Sequence, residues 1–264
     1  MMSVPSAFLG VLVLYLAATL LYLLRLVLGR TIFSVLGLRI VIFAALLQAF
    51  ALVMHGFQSD RPFFSSYLEN YQLSSLILAV FFIGLCFTKK FYAAGPLFVT
   101  LIDVFCILSL SYDHPDLLME PARGRGYLIF HLSSIFLSLS VFAIGLISAV
   151  LFLIAEKQIK MKRHYGWMAK LPPLASLDEV HHKALYAGFF LFTFAILTGA
   201  GFSKVTTGHY IAENFKQILS FALWVFFAVL LNFRVRQGWQ GHKGVVLSLT
   251  GFAGLALLFF VGLK

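Results

Sequence analysis

The chain has 264 residues, 61% of them hydrophobic and 11% charged, with a mean hydropathy of +0.96, whereas soluble domains carry about 25% charged residues. Such a balance excludes a water-soluble globular protein. It also removes nucleic acid as the reason for a formal charge of +10, since in an apolar chain the position of Lys and Arg relative to the apolar runs is what carries meaning.

A bilayer core takes about 20 mostly apolar residues per helix. The chain supplies such runs one after another, so a single membrane domain over residues 1–264 is expected. Eight spans are predicted, at 6–28, 39–57, 71–88, 91–111, 127–155, 181–203, 215–233 and 244–263. Helices are expected because backbone polar groups in lipid must be satisfied within their own segment, and because the short alternating segments of a membrane barrel are absent from the sequence. The predicted fold class is therefore all-α, a polytopic membrane helix bundle of about eight transmembrane helices.

The first span is followed by Arg25 and Arg30 rather than preceded by charge, the reverse of a cleavable signal, so it is expected to stay as a helix. Cations alternate between the connections. One set holds Arg25, Arg30, Arg39, Lys89, Lys90, Lys157, Lys160, Lys162, Arg163, Lys170, Lys183, Arg234, Arg236 and Lys243; the other holds Arg61, Arg123, Arg125, Lys204, Lys216 and Lys264. Fourteen against six makes the first set cytoplasmic and puts both termini on the outer (periplasmic) side. In the connection between the fifth and sixth spans, Pro172 and Pro173 stop the helix and Ser176-Leu177-Asp178 can open the next,. Cys86 and Cys106 lie inside apolar runs and form no C-x-x-C, so they read as buried apolar residues.

The histidines are unevenly placed. His55 ends the second span and His131 begins the fifth, which puts both near the outer interface when residues are counted from the inner flanks,. His114 and His209 fall in outer loops. His164, His181, His182 and His242 belong to the basic inner side and read as interfacial residues,. Imidazole is a haem-iron ligand, and His131 and His55 are the candidate axial pair. Arg125 and Lys216, with Arg61, Arg123 and Lys204, are outward cations that can meet propionates. The competing reading has His55 and His131 hydrogen-bonding across helices. Asp103, inside the fourth span, is an ionisable candidate for proton or ligand handling, against a structural role paired with an inward polar residue. No Ser-His-Asp order, H-E-x-x-H, phosphate loop or Rossmann glycine pattern is present, so hydrolase and nucleotide readings have no support.

The second half carries a set of residues that resembles the cytochrome c assembly family: Gly126, His131 and Ser138, then Leu171-Pro172-Pro173-Leu174, Leu177-Asp178, Gly188-Phe189, Thr193 and Thr198-Gly199. It continues through Gly208, Tyr210, Lys216, Trp224, Leu231, Arg234, Gly238-Trp239-x-Gly241 and Gly251-Phe252. The resemblance covers about 91–263, includes the CcsA and CcmC branches of haem-handling membrane proteins, and looks closest to the shorter YpjD/HemX-type members. His131 matches a family haem ligand, His55 resembles a histidine that ends the same span in YpjD-like proteins, and the resemblance implies His209 as a further haem contact. The family's outer tryptophan-rich haem segment corresponds here to Gly208-His209-Tyr210-Ile211-Ala212-Glu213-Asn214-Phe215-Lys216-Gln217, without its tryptophans and aspartate. The family's membrane histidine before the seventh span's Arg falls on Asn232.

The resemblance implies haem b as the bound group and haem, the lipid bilayer and other cytochrome-assembly membrane proteins as partners, with no nucleic acid. It implies a haem-binding inner-membrane protein that acts in cytochrome c assembly or in haem transport or relay, with no covalent chemistry of its own and so no enzymatic activity. A haem-free membrane adaptor that scaffolds a partner is the alternative favoured by the altered haem segment. A small-solute transporter resting on Asp103 is the third reading.

Overall fold

A computed structural model of the chain describes residues 4–59, 62–87, 91–111, 125–162, 171–211, 215–238 and 241–262. Among the described residues there are eight α-helices, one short 3-10 turn at Tyr92–Ala94 and no strand. The helices are α1 (Val4–Leu28), α2 (Ile32–Gln58), α3 (Tyr67–Phe87), α4 (Gly95–Ser111), α5 (Arg125–Lys160), α6 (Leu174–Thr207), α7 (Phe215–Arg236) and α8 (His242–Gly262). Each predicted span falls on one of them over its described residues, the fourth also taking in the 3-10 turn. Seven are long and apolar enough to cross a bilayer, and α8 is a shorter apolar helix over its described residues.

Helix ends differ from the span ends in a consistent way. At 1.5 Å per residue, α5 with 36 residues and α6 with 34 run to about 54 and 51 Å, well past a hydrocarbon core of about 30 Å. Hydropathy marks where a helix meets lipid, but the backbone ladder continues through polar helix formers such as Glu156, Lys157, Gln158 and Lys160,. At the start of α6 the prolines act two residues earlier than expected. Pro173 is the N-cap, and its carbonyl accepts the Ser176 and Leu177 N–H groups at 3.0 and 3.1 Å, so the helix opens at Leu174. α6 closes on Gly208, whose φ of +82° is the left-handed conformation a glycine C-cap adopts without strain,.

The chain divides into two compact units, residues 1–117 with 157–172, and residues 118–156 with 173–264. In the first, α1 packs on α2 and α4, and α3 packs on α2 and α4, which closes a four-helix ring. The inward face of α1 is Phe8, Val11, Tyr15, Ala18, Tyr22 and Arg25, all buried, a three-four spacing that keeps one seam against its neighbours. Facing it, α2 buries Ser34, Gly37, Ala44, Ala45, Ala51 and Gly56. Small residues let helix backbones approach closely where lipid removes the hydrophobic drive for association.

Gln48 lies at the centre of this unit, with no exposed surface. Its side-chain carbonyl accepts the Tyr15 hydroxyl at 2.8 Å, and its amide donates to the Gln72 carbonyl oxygen at 3.1 Å and to Ser75 Oγ at 2.6 Å. Gln72 then donates to Ser109 Oγ at 2.7 Å. One buried hydrogen-bond network thus touches all four helices of the unit. Such polar contacts hold membrane helices together at about 0.6 kcal/mol each.

In the second unit the centre is aromatic. Phe142 on α5 stacks on Phe227 of α7 at 4.7 Å between ring centroids and meets Phe192 of α6 and Phe252 of α8 edge-on. The Ser138 hydroxyl donates to the Gly188 carbonyl at 2.9 Å, and the pairing of residue 138 with 188 and of 145 with 181 runs α5 and α6 antiparallel.

Candidate functional site

His131 occupies the second turn of α5. Its Nδ1 lies 2.7 Å from the Ala195 carbonyl oxygen on α6. A carbonyl can only accept, so Nδ1 carries the hydrogen and, in the neutral ring, Nε2 keeps its lone pair. Among the described residues Nε2 makes no hydrogen bond. The ring lies against Gly199, where a Cβ would fall 2.6 Å from its Cε1 and 2.8 Å from its Nδ1. Thr198-Gly199 therefore supplies a seat that an alanine would close.

The antiparallel run of α5 and α6 brings Arg125, at the start of α5, to the same end of this unit as the close of α6, the described part of the following connection, and Lys216 at the start of α7. Arg125, His209 and Lys216 are all exposed there. The backbone of His209 is held in place by Ser203, whose hydroxyl donates to the His209 carbonyl at 2.9 Å. Lys204 donates to the Gly208 carbonyl at 2.7 Å and sits 5.1 Å over the Tyr210 ring. His131 and these cations together form the candidate site of the second unit. Arg61, Arg123, His114, His164 and residues 212–214 lie outside the described residues.

His55 belongs to the first unit and is presented differently. Its ring meets Phe8 edge-on at 6.1 Å, and its Nε2 faces Glu69 Oε1 at 3.7 Å. Glu69 is buried, and its other oxygen accepts the Ser65 N–H at 3.0 Å while its own N–H donates to Ser66 Oγ at 3.2 Å. The Ser66 hydroxyl caps the helix start as in a capping box, while the Glu69 carboxylate reaches one residue further back, to the Ser65 N–H,. Glu69 is absent from the residues expected to matter, although Ser66-x-x-Glu69 ahead of an apolar run is a readable signature. Asp103, also in this unit, accepts the Thr19 hydroxyl on Oδ2 at 2.6 Å, and its Oδ1 is buried without a hydrogen-bond partner.

Two further groups of the second unit were not expected. His181, read from the sequence as interfacial, has no exposed surface. Its Nδ1 lies 2.9 Å from the Gly145 carbonyl and its Nε2 3.0 Å from Ser248 Oγ, which ties α5, α6 and α8 through one ring. Nearby, Arg234 donates to Asp178 at 2.7 Å with 1% of its side chain exposed. Hydropathy places both residues near a span end. It does not reveal that each turns inward.

Long apolar helices closed around buried hydrogen-bond networks define a multi-pass membrane protein, and the second unit adds a histidine held by its Nδ1 with Nε2 unspent. More narrowly, the chain belongs to the cytochrome c assembly family, described as Cytochrome C assembly protein, whose sequence model matches residues 6–263. Individual relatives are more distant. The chain is similar to the cytochrome c biogenesis protein CcsA of Prochlorococcus marinus (strain MIT 9215), 26% identical over 165 residues, covering 55% of this chain and 53% of the relative. The CcsA protein of Chlamydomonas reinhardtii is 26% identical over 155 residues, covering 58% and 42%. The chain thus spans about half the length of these curated relatives. It spans 78% of the CcsA protein of another Prochlorococcus marinus strain, at 24% identity over 250 residues and 84% of this chain.

Proposed function

We propose that this chain is a haem-binding protein of a bacterial inner membrane that takes part in cytochrome c assembly by holding or relaying haem b, without making or breaking covalent bonds. Family membership supports the assembly role. The observation that carries haem binding is the hydrogen bond from His131 Nδ1 to the Ala195 carbonyl. Histidines that ligate a metal characteristically donate their other ring N–H to a carbonyl or carboxylate, which fixes the tautomer and aims the free nitrogen. His131 fits that requirement.

In this reading haem is the cargo. His131 supplies an axial nitrogen, while Arg125 and Lys216, with His209 beside them, meet the propionates at the outer end of the unit through charge-assisted hydrogen bonds, which are about twice as strong as neutral ones. His55, whose Nε2 faces Glu69 in the first unit, must turn from that carboxylate before it binds iron, so His131 is the primary ligand. The charge asymmetry of the connections puts this end, and both termini, on the outer side.

The test is a visible spectrum of the protein purified from haem-replete cells. A Soret band is expected, lost in His131→Ala and partly restored by imidazole in His131→Gly. A colourless preparation that instead carries one stoichiometric membrane protein, unaffected by His131→Ala, would overturn haem binding in favour of a scaffolding role.

A further inference from the structure

Away from His131, the outer surfaces of α6 and α7 form an open groove of ≈ 590 Å³. Along α7 its wall is Trp224, Ala228, Asn232 and Arg236, spaced four apart and so on one face,. Tyr186 and Phe190 line the opposite wall. From Trp224 to Arg236 the groove runs about 18 Å at 1.5 Å per residue, close to the roughly 15 Å depth of one leaflet of a 30 Å hydrocarbon core.

Its two ends differ in chemistry. At the deep end, the Trp224 indole N–H donates to Thr193 Oγ1 at 2.9 Å, and the Thr193 hydroxyl donates to the Phe189 carbonyl at 2.8 Å. Trp224 also stacks on Phe189 and Phe221 at 5.7 and 5.8 Å. Every polar group there is spent, so a ligand meets only apolar faces. At the other end, Asn232 and Arg236 are exposed and make no hydrogen bond or ion pair among the described residues. The contrast with Arg234 is direct, since that guanidinium turns inward to Asp178. Arg236 is the last residue of α7.

We infer that this groove binds one anionic glycerophospholipid, an acyl chain lying between α6 and α7 and the phosphodiester held by Arg236 and Asn232. A leaflet-deep apolar channel ending in an uncompensated guanidinium matches a lipid of that charge and length. A porphyrin would find no ligating nitrogen here, because Asn232 offers a carboxamide.

The chain has three tryptophans, and replacing Trp167 and Trp239 by Phe leaves Trp224 as the sole reporter in the groove. Its fluorescence is read in nanodiscs of phosphatidylcholine containing either chain-brominated phosphatidylglycerol or chain-brominated phosphatidylcholine. Quenching by the anionic lipid is expected at about five-fold lower lipid fraction than by the zwitterionic one, the preference one cation confers at a membrane surface. Arg236→Gln should bring the ratio to about one, and Ala228→Phe, which fills the groove, should remove the high-affinity quenching while helical circular dichroism is unchanged. Equal quenching by both lipids in the parent protein would overturn the proposal, as would a preference that survives Arg236→Gln or quenching indifferent to Ala228→Phe. A Soret band that survives His131→Ala but is lost in Ala228→Phe would assign the groove to a porphyrin instead.

Discussion

His131 and Gly199 form a close pair across α5 and α6: the imidazole lies so near the glycine backbone that a methyl group there would fall 2.6 Å from Cε1. Gly199→Ala should therefore push the ring off the Ala195 carbonyl and lower haem affinity about 10- to 100-fold, the range seen when an outer partner of a metal ligand is lost. Helix content should hold or rise, because alanine favours a helix over glycine by about 1 kcal/mol. Haem titration beside circular dichroism separates the two effects, and unchanged affinity would show that the ring's seat is not what prepares the ligand.

Gln48, on α2, touches α1 and α3 directly and α4 through Gln72. Gln48→Leu removes its bonds to Tyr15, Gln72 and Ser75 and leaves the buried Tyr15 hydroxyl and the Gln72 side-chain carbonyl without their partner. At about 0.6 kcal/mol per interhelical bond, a loss of about 2 kcal/mol is expected, against about 0.6 for Tyr15→Phe. Reversible unfolding in mixed micelles measures both, and equal losses would argue against a network centred on Gln48.

The Asp178–Arg234 pair should respond asymmetrically. Removing the carboxylate with Asp178→Ala strands a guanidinium whose side chain is 1% exposed, at a cost of about 3–5 kcal/mol. The double change Asp178→Leu with Arg234→Met should recover most of that loss, since no charge is left buried. Thermal unfolding of the two variants tests the difference, and equal destabilisation would place the Arg234 charge in solvent.

His181 is held between Gly145 and Ser248, at the end of its unit opposite His131. Ser248→Ala should cost about 1 kcal/mol, the worth of one hydrogen bond, and His181→Ala about 2–4 kcal/mol because a buried ring leaves a cavity. Haem bound per protein should stay unchanged in both. A selective loss of the Soret band with stability intact would move His181 into the haem site.

Much of the architecture was legible from composition. The eight helices follow from apolar runs of spanning length, because a backbone in lipid has no other way to satisfy its amides. His131 stood out through its place at a span start and within the family's motif. Glu69 was legible in principle from Ser66-x-x-Glu69 but was masked by the apolar run that follows it. The inward turn of His181 and Arg234 was not legible, since hydropathy reports depth in the membrane and is blind to which side of a helix meets a neighbour.

Solvent preference is a property of local composition, which is why the number and chemical class of the helices could be read from residue order alone. The character of each polar group was settled at longer range. His131 finds its carbonyl 64 residues away, Arg234 its carboxylate 56 away and His181 its serine 67 away. Whether an imidazole is a ligand held ready or a buried tie depends on which acceptor stands opposite each ring nitrogen, and folding alone brings those atoms within about 3 Å of one another.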